Sequence, residues 1–288
     1  MSEALLHYPR LFVSLVKFEH TVFALPFAYV GAFLAVDGLP SGRDFLWITV
    51  AMVGARSLAM ALNRLIDAAI DARNPRTAGR EVPRGALAPW QVAAFALASL
   101  GVFLVAVYQL APIVRFLWPI PVAAFVVYPY LKRVTWLSHL WLGAVDGLAP
   151  VGAWAAVTNS LPWPAWALGA AVAAWVAGFD MLYALFDLDV DRRQGLQSLP
   201  ARFGVRAAFA GARVCHAATV AFLALAGLGL SVGALYWLGV AAVALLLLYE
   251  HSLVSPPDWT RLDTAFFTMN GVISVALFAF VLADVLVQ

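Results

Sequence analysis

Nine nearly charge-free stretches, each about 20 residues long, run through the chain and constrain its fold more than any other feature. They cover 18–37, 45–66, 90–111, 113–131, 137–158, 164–186, 207–228, 231–250 and 264–286. A stretch of that length crosses the hydrocarbon of a bilayer as a helix, because in lipid the backbone must satisfy its hydrogen bonds within the segment. The expected fold is therefore all-α and integral to a membrane, with nine transmembrane helices in one domain over 1–288. Residues are 64% hydrophobic and 12% charged, with a mean hydropathy of +0.87. A soluble domain carries about 25% charged residues, so a water-soluble globule and a disordered tail are both excluded. A net charge of +2 excludes a nucleic-acid partner. The first stretch follows Arg10 and Lys17 as a signal peptide's apolar region would, yet no small-residue cleavage pattern follows, so it reads as a retained helix. The seventh and eighth share one apolar tract split at residues 229–233, and prolines 26, 119, 121, 129 and 162 mark kinks or helix ends.

Nine crossings put alternate loops on opposite sides, and cytoplasmic loops are rich in Lys and Arg. With the N-terminus inside, 15 of the 18 basic residues fall on the cytoplasmic side, Arg43 and Arg115 fall outside, and Arg56 lies within a span. The two long polar loops, 67–89 and 187–206, are separated by four crossings and share the cytoplasmic face, where they can build one site. The expected location is the cell inner (plasma) membrane, with the active site facing the cytoplasm.

Two acidic patterns open those loops. Asn63, Asp67 and Asp71 stand at i, i+4 and i+8 at the inner end of the second helix, and Tyr183, Asp187 and Asp191 repeat the spacing at the end of the sixth. Each set occupies one helical face. Four carboxylates at the edge of hydrocarbon would repel one another unless cations sat between them. Oxygen ligands favour Mg²⁺, which is held by one or two carboxylates and completes its shell with water and substrate phosphate. A diphosphate is the natural bridging ligand, and Lys132, Arg133, Arg64, Arg73 and Arg192 are available for its remaining charge. Charged groups bordering spans at two matched helix ends point to function rather than to interface marking.

With these residues the chain resembles the UbiA-type intramembrane aromatic prenyltransferases. The resemblance rests on residues 63–71, the loop 75–85, the segment Tyr128-Pro129-Tyr130-Leu131-Lys132-Arg133-Val134-Thr135, and residues 180–204 with their Tyr-Ala-x-x-Asp-x-x-x-Asp core. Residues 18–28 look like the quinone-biosynthesis branch, either 4-hydroxybenzoate polyprenyltransferases or those of the futalosine route to menaquinone. The resemblance implies helices around a central cavity, a polyprenyl diphosphate donor, and Mg²⁺ with diphosphate on Asn63, Asp67, Asp71, Asp187 and Asp191, with Lys132 a diphosphate contact. Two positions depart from the family pattern: Arg64, where many members carry Asp, and Gln197, where many carry a basic residue.

Transfer of a prenyl group separates charge, so the leaving diphosphate needs an electrophilic clamp and the allylic cation needs electron-rich faces. Among the aromatics Tyr183, one turn before Asp187, is the candidate for the second task. Asp187 or Asp191, water or the diphosphate could take the ring proton. Arg56 and Asp180 each stand seven residues before a motif, about two turns, and so face roughly as the motifs do. Arg56 or Arg133 could bind the carboxylate of an aromatic acceptor; alternatively, Arg56 and Asp180 pair with each other across two helices. His20, near Lys17, could reach the acceptor, whereas His139, His216 and His251 read as satisfied or interfacial histidines and Asp146 as an intramembrane acid of unassigned role. The function expected is transfer of a polyprenyl group to an aromatic quinone precursor, 4-hydroxybenzoate or a dihydroxynaphthoate, in ubiquinone or menaquinone biosynthesis. The alternatives are another acceptor (haem, a chlorophyllide, homogentisate or a glyceryl phosphate) or a cation-coupled secondary transporter.

Overall fold

The structure, a computed structural model, describes residues 11–16, 18–262 and 268–288. Lys17 and the side chain of His20 lie outside the described residues, as does the start of the expected ninth span. Long helices follow one another as α1 (Phe18–Val36), α2 (Gly42–Ile66), α3 (Pro89–Gln109), α4 (Pro119–Leu131), α5 (Ser138–Thr158), α6 (Trp163–Tyr183), α7 (Val205–Leu228), α8 (Ala234–Leu253) and α9 (Asn270–Val287). Among the described residues there is no β-strand. Eight helical stretches, α4 counted together with the short turn before it, are long and apolar enough to cross a membrane; α1 contributes the shorter apolar helix Leu25–Val36. The eighth helix starts at Ala234 rather than 231 and continues to Leu253, because residues 229–233 form the turn that the glycines suggested.

The sequence punctuates these helices where it should. Pro119 opens α4 and Pro162 caps α6, positions at which the missing N–H costs nothing. Ser41 caps α2, its Oγ accepting the Asp44 N–H at 3.1 Å. Pro26, Pro129 and Pro150 sit inside helices.

Helices α1, α5, α6, α7, α8 and α9 pack in sequence around a closed arc, and α2, flanked by α3 and α4, completes the wall. In lipid no hydrophobic force drives helices together, so close approach depends on small residues. The α5–α6 seam uses this: a Cβ on Gly143 would stand 2.1 Å from the Ala173 carbonyl oxygen, and one on Gly147 would stand 2.5 Å from that of Gly169. Phe27, Trp175, Leu223, Tyr236, Val243 and Leu277 fill the core between α1, α6, α7, α8 and α9. The opposite side of the bundle is hollow.

Candidate active site

The hollow is a cavity of about 610 Å³, walled along α2 from Ile48 to Arg64. Sixteen residues at 1.5 Å each make it roughly 24 Å deep along that helix. Its far end is apolar, lined by Leu110, Leu117, Trp118, Leu161 and Trp166, and aromatic groups from Phe125, Trp175 and Phe179 line its middle. Polar side chains collect toward the other end: Arg56, Tyr128, Asp146 and Asp180 on the wall, then Asn63, Arg64, Arg80 and Tyr183 at the end that meets the two motifs.

Neither motif is a single unbroken helical face, which corrects the expectation from spacing alone. Helix α2 stops at Ile66, Asp67 takes φ −92° and ψ 0°, and a separate turn, Ala68–Asp71, follows. The register survives the break because Asp67 donates its N–H to the Asn63 carbonyl at 3.0 Å and Asp71 donates to that of Asp67 at 2.8 Å. Asn63, Asp67 and Asp71 therefore stay stacked, and Asn63 Nδ2 donates to Asp67 Oδ2 at 3.2 Å. In the second motif α6 ends at Tyr183, a 3₁₀ turn spans Ala184–Asp187, and helix resumes over Leu188–Gln194. Three residues per turn in place of 3.6 rotate Asp187 away from the stripe that continued α-helix would give, toward the loop that follows the first motif.

That loop joins the motifs. Arg76 donates to both oxygens of Asp187, from Nε at 2.9 Å and more closely from Nη2, and Asn74 Nδ2 donates to the same carboxylate at 2.8 Å. Arg76 Nη1 also donates to the Tyr183 hydroxyl at 2.7 Å, and its guanidinium lies 5.0 Å over that ring. Burial pulls the Arg76 guanidinium toward the neutral form, but Asp187 and Tyr183 outweigh this and hold it above the ordinary arginine range. Asp71 accepts from Arg80 at 2.7 Å, and Asp67 accepts from Lys132 at 2.5 Å and from Arg133 at 3.3 Å. Asp191 accepts from Ser198 Oγ at 2.5 Å. The two acidic tips are thus tied by residues three to five positions after Asp71.

Several expected contacts fall elsewhere. Arg64 is 2% exposed and sits 3.9 Å from Glu81 as it lines the cavity. Arg73 turns back to the Ala69 carbonyl and Arg192 is exposed, so neither joins the carboxylates. Arg133 also donates to the Ile66 carbonyl at 2.7 Å and is not part of the cavity wall. Arg56 and Asp180 make no direct ion pair: Asp180 Oδ2 bonds to His139 Nδ1 at 2.7 Å, while the Nε of Arg56 is buried without a hydrogen-bond partner among the described residues. One face of the Tyr183 ring is taken by Arg76, which leaves Phe125, Trp175 and Phe179 as further aromatic lining. Asn74, Arg76, Arg80, His139 and Ser198 were not expected as site residues. All except His139 lie within the loops already marked by their arginines and by the 75–85 run.

The donors suit a hard cation. Carboxylate oxygens and the Asn63 carboxamide are of the type that Mg²⁺ prefers, and Asp71 and Asp191 are each held through Oδ2, with no hydrogen bond to Oδ1 among the described residues. Among the described residues no three His, Cys, Asp or Glu side chains close on one point; the motif carboxylates face cations or hydroxyls instead.

Comparison with known proteins gives a consistent answer. The UbiA prenyltransferase family matches residues 24–272. The chain is 32% identical over 225 residues to the 4-hydroxybenzoate octaprenyltransferase of Ralstonia nicotianae, covering 78% of this chain and 77% of that one. It is 30% identical over 291 residues to the enzyme of the same name from Nitrosospira multiformis, covering 100% and 98%. Among solved structures, the apo form of a UbiA homolog from Aeropyrum pernix aligns with a TM-score of 0.83 and 33% identity over 92% of this chain and 98% of that one. A UbiA homolog from Archaeoglobus fulgidus bound to GPP and Mg²⁺ shares the fold, with a TM-score of 0.77 at 17% identity over 96% and 99%. With its acidic helix tips drawn together at one end of an apolar cavity, and with these matches along nearly all its length, the chain is a multi-pass membrane enzyme that belongs to the UbiA prenyltransferase family.

Proposed function

We propose that the protein transfers a polyprenyl group from its diphosphate to a phenolic carboxylic acid of quinone biosynthesis, with Mg²⁺, at the cytoplasmic face of the cell membrane. The observation that carries this reading is that the two acidic motifs, three of their four aspartates paired with Arg76, Arg80 and Lys132, adjoin the end of a deep apolar cavity that Asn63, Arg64, Arg80 and Tyr183 line. A long isoprenoid can stay in hydrocarbon while its charged head lies among Lys132, Arg76, Arg80 and Arg64. Asn63, Asp67, Asp71, Asp187 and Asp191 would hold Mg²⁺, which when bound neutralises the charge that builds on the departing diphosphate. The basic side chains do the same from fixed positions and need no reorganisation as the C–O bond lengthens. Phe125, Trp175, Phe179 and Tyr183 keep water from the allylic cation and offer ring faces worth about 0.5–2 kcal/mol each.

The acceptor reading rests on Arg56. Its guanidinium is inside the cavity, two turns from Asn63, with Nε unpaired among the described residues, whereas Arg133 is committed to Ile66 and Asp67. A planar carboxylate matches such a fork, and a ring hydroxyl would find Asp180 in the same cavity. The name shared by the two curated relatives supports 4-hydroxybenzoate over a dihydroxynaphthoate. Orientation is supported by the 15 basic residues on the motif side, with α1 as the first of nine crossings. Purified protein with a polyprenyl diphosphate, Mg²⁺ and 4-hydroxybenzoate is expected to release diphosphate and form prenylated acid. No release with any phenolic acid would sink the proposal.

A further inference from the structure

Three consecutive residues after the second motif each fasten to a different part of the site. Gln197 donates its N–H to the Lys132 carbonyl at 2.7 Å, beside the cation that meets Asp67. Ser198 Oγ donates to Asp191 at 2.5 Å. Leu199 donates its N–H to Nε2 of His139 at 3.1 Å. The lone pair of Nε2 is thereby used, so the ring proton sits on Nδ1 and is donated to Asp180 Oδ2 at 2.7 Å. Ser198, Leu199 and His139 are all buried. Asp180 lines the cavity with its side chain 17% exposed, and only Oδ2 is engaged by a described residue.

We propose that His139 is a positioning residue, holding Asp180 so that its second oxygen accepts the acceptor's ring hydroxyl while the 197–199 segment keeps that carboxylate in register with the diphosphate clamp. The inference rests on the acceptor reading above. His139 touches neither substrate. It acts through Asp180 on one side and through the backbone of Leu199 on the other, and it joins the start of α5, the end of α6 and the loop that carries Ser198.

The test compares an acceptor that has the hydroxyl with one that lacks it. In wild type, KM for 4-hydroxybenzoate and Ki for benzoate as a competitive inhibitor are measured under saturating prenyl diphosphate. His139→Leu is expected to raise the 4-hydroxybenzoate KM about tenfold, the order for losing one well-placed hydrogen bond to a charged group, while benzoate Ki and the KM for prenyl diphosphate stay within about twofold. His139→Gln, whose amide can donate to Asp180 and accept from Leu199, is expected to restore selectivity for the hydroxyl. Equal losses for both acids, or no loss for either, would overturn the proposal. Should His139→Leu fail to fold, Asp180→Asn is used for the same comparison, since an amide N–H facing the hydroxyl removes the acceptor; an unchanged ratio there overturns it as well. Failure of the wild type with every phenolic acid defeats the acceptor reading itself, whereas an active wild type with an unselective His139→Leu defeats only the role of His139.

Discussion

Arg56 shows how a single side chain can report on substrate chemistry. A guanidinium placed in a largely apolar wall, its Nε without a partner among the described residues, is costly unless a ligand completes it. Arg56→Lys keeps the charge and loses the fork, so the acceptor KM is expected to rise by about tenfold, or roughly 1.4 kcal/mol, with little change in the KM for prenyl diphosphate. Unaltered acceptor kinetics would remove Arg56 from the acceptor site. Arg76 is the other informative residue, since it grips Asp187 and Tyr183 at once. Arg76→Gln is expected to lower kcat/KM for the prenyl diphosphate by about 10² or more, because under the proposed function the lost charge is one that would meet the leaving group; loss confined to the acceptor KM would contradict this. Arg56 and the four motif aspartates stand out as candidates from spacing because their relation is local, at seven or four residues. His139 was not, because its partners Asp180 and Leu199 stand 41 and 60 residues away and no periodicity encodes such a meeting.

At the level of elements, the helix ends matter more than the helices. Length and hydropathy marked the spans to within a few residues, yet the break at Asp67 and the 3₁₀ turn at Ala184–Asp187 could not be read, because both runs carry the apolar and acidic periodicity of uninterrupted helix. Those breaks tilt the carboxylates toward the loop that binds them. The seam between α5 and α6 is the complementary case, a rigid contact on which the wall depends. Gly147→Val is expected to lower the thermal midpoint in detergent and to cost about 1–3 kcal/mol, since its Cβ would stand 2.5 Å from the Gly169 carbonyl oxygen in a backbone that cannot give way. A midpoint equal to that of wild type would mean that the two helices can separate freely.

The molecule as a whole is a bundle with one charged end, and the proposed placement in the membrane rests on that asymmetry. In a Cys215→Ser background, which removes the single cysteine, Arg84→Cys is expected to react with a membrane-impermeant maleimide from the cytoplasmic side and Arg43→Cys from the opposite side. Labelling of both from one side would invert or break the topology. The distribution of arginines in the sequence led to this expected orientation, but nothing in the sequence marked the hollow between α2 and α5, which arises from how helices tilt and from where small residues let them approach. The arginines and the lysine that grip the motif aspartates also bear on how the fold is held together. Asp67, Asp71 and Asp187 each meet a cation of the protein itself, so an enzyme of the proposed kind is expected to lose activity to EDTA without melting, its thermal midpoint nearly the same with and without the chelator. Under the proposed function, magnesium would come as a passenger of the diphosphate rather than as a rivet of the fold, and the protein would keep its shape in the bilayer whether or not the ion is at hand.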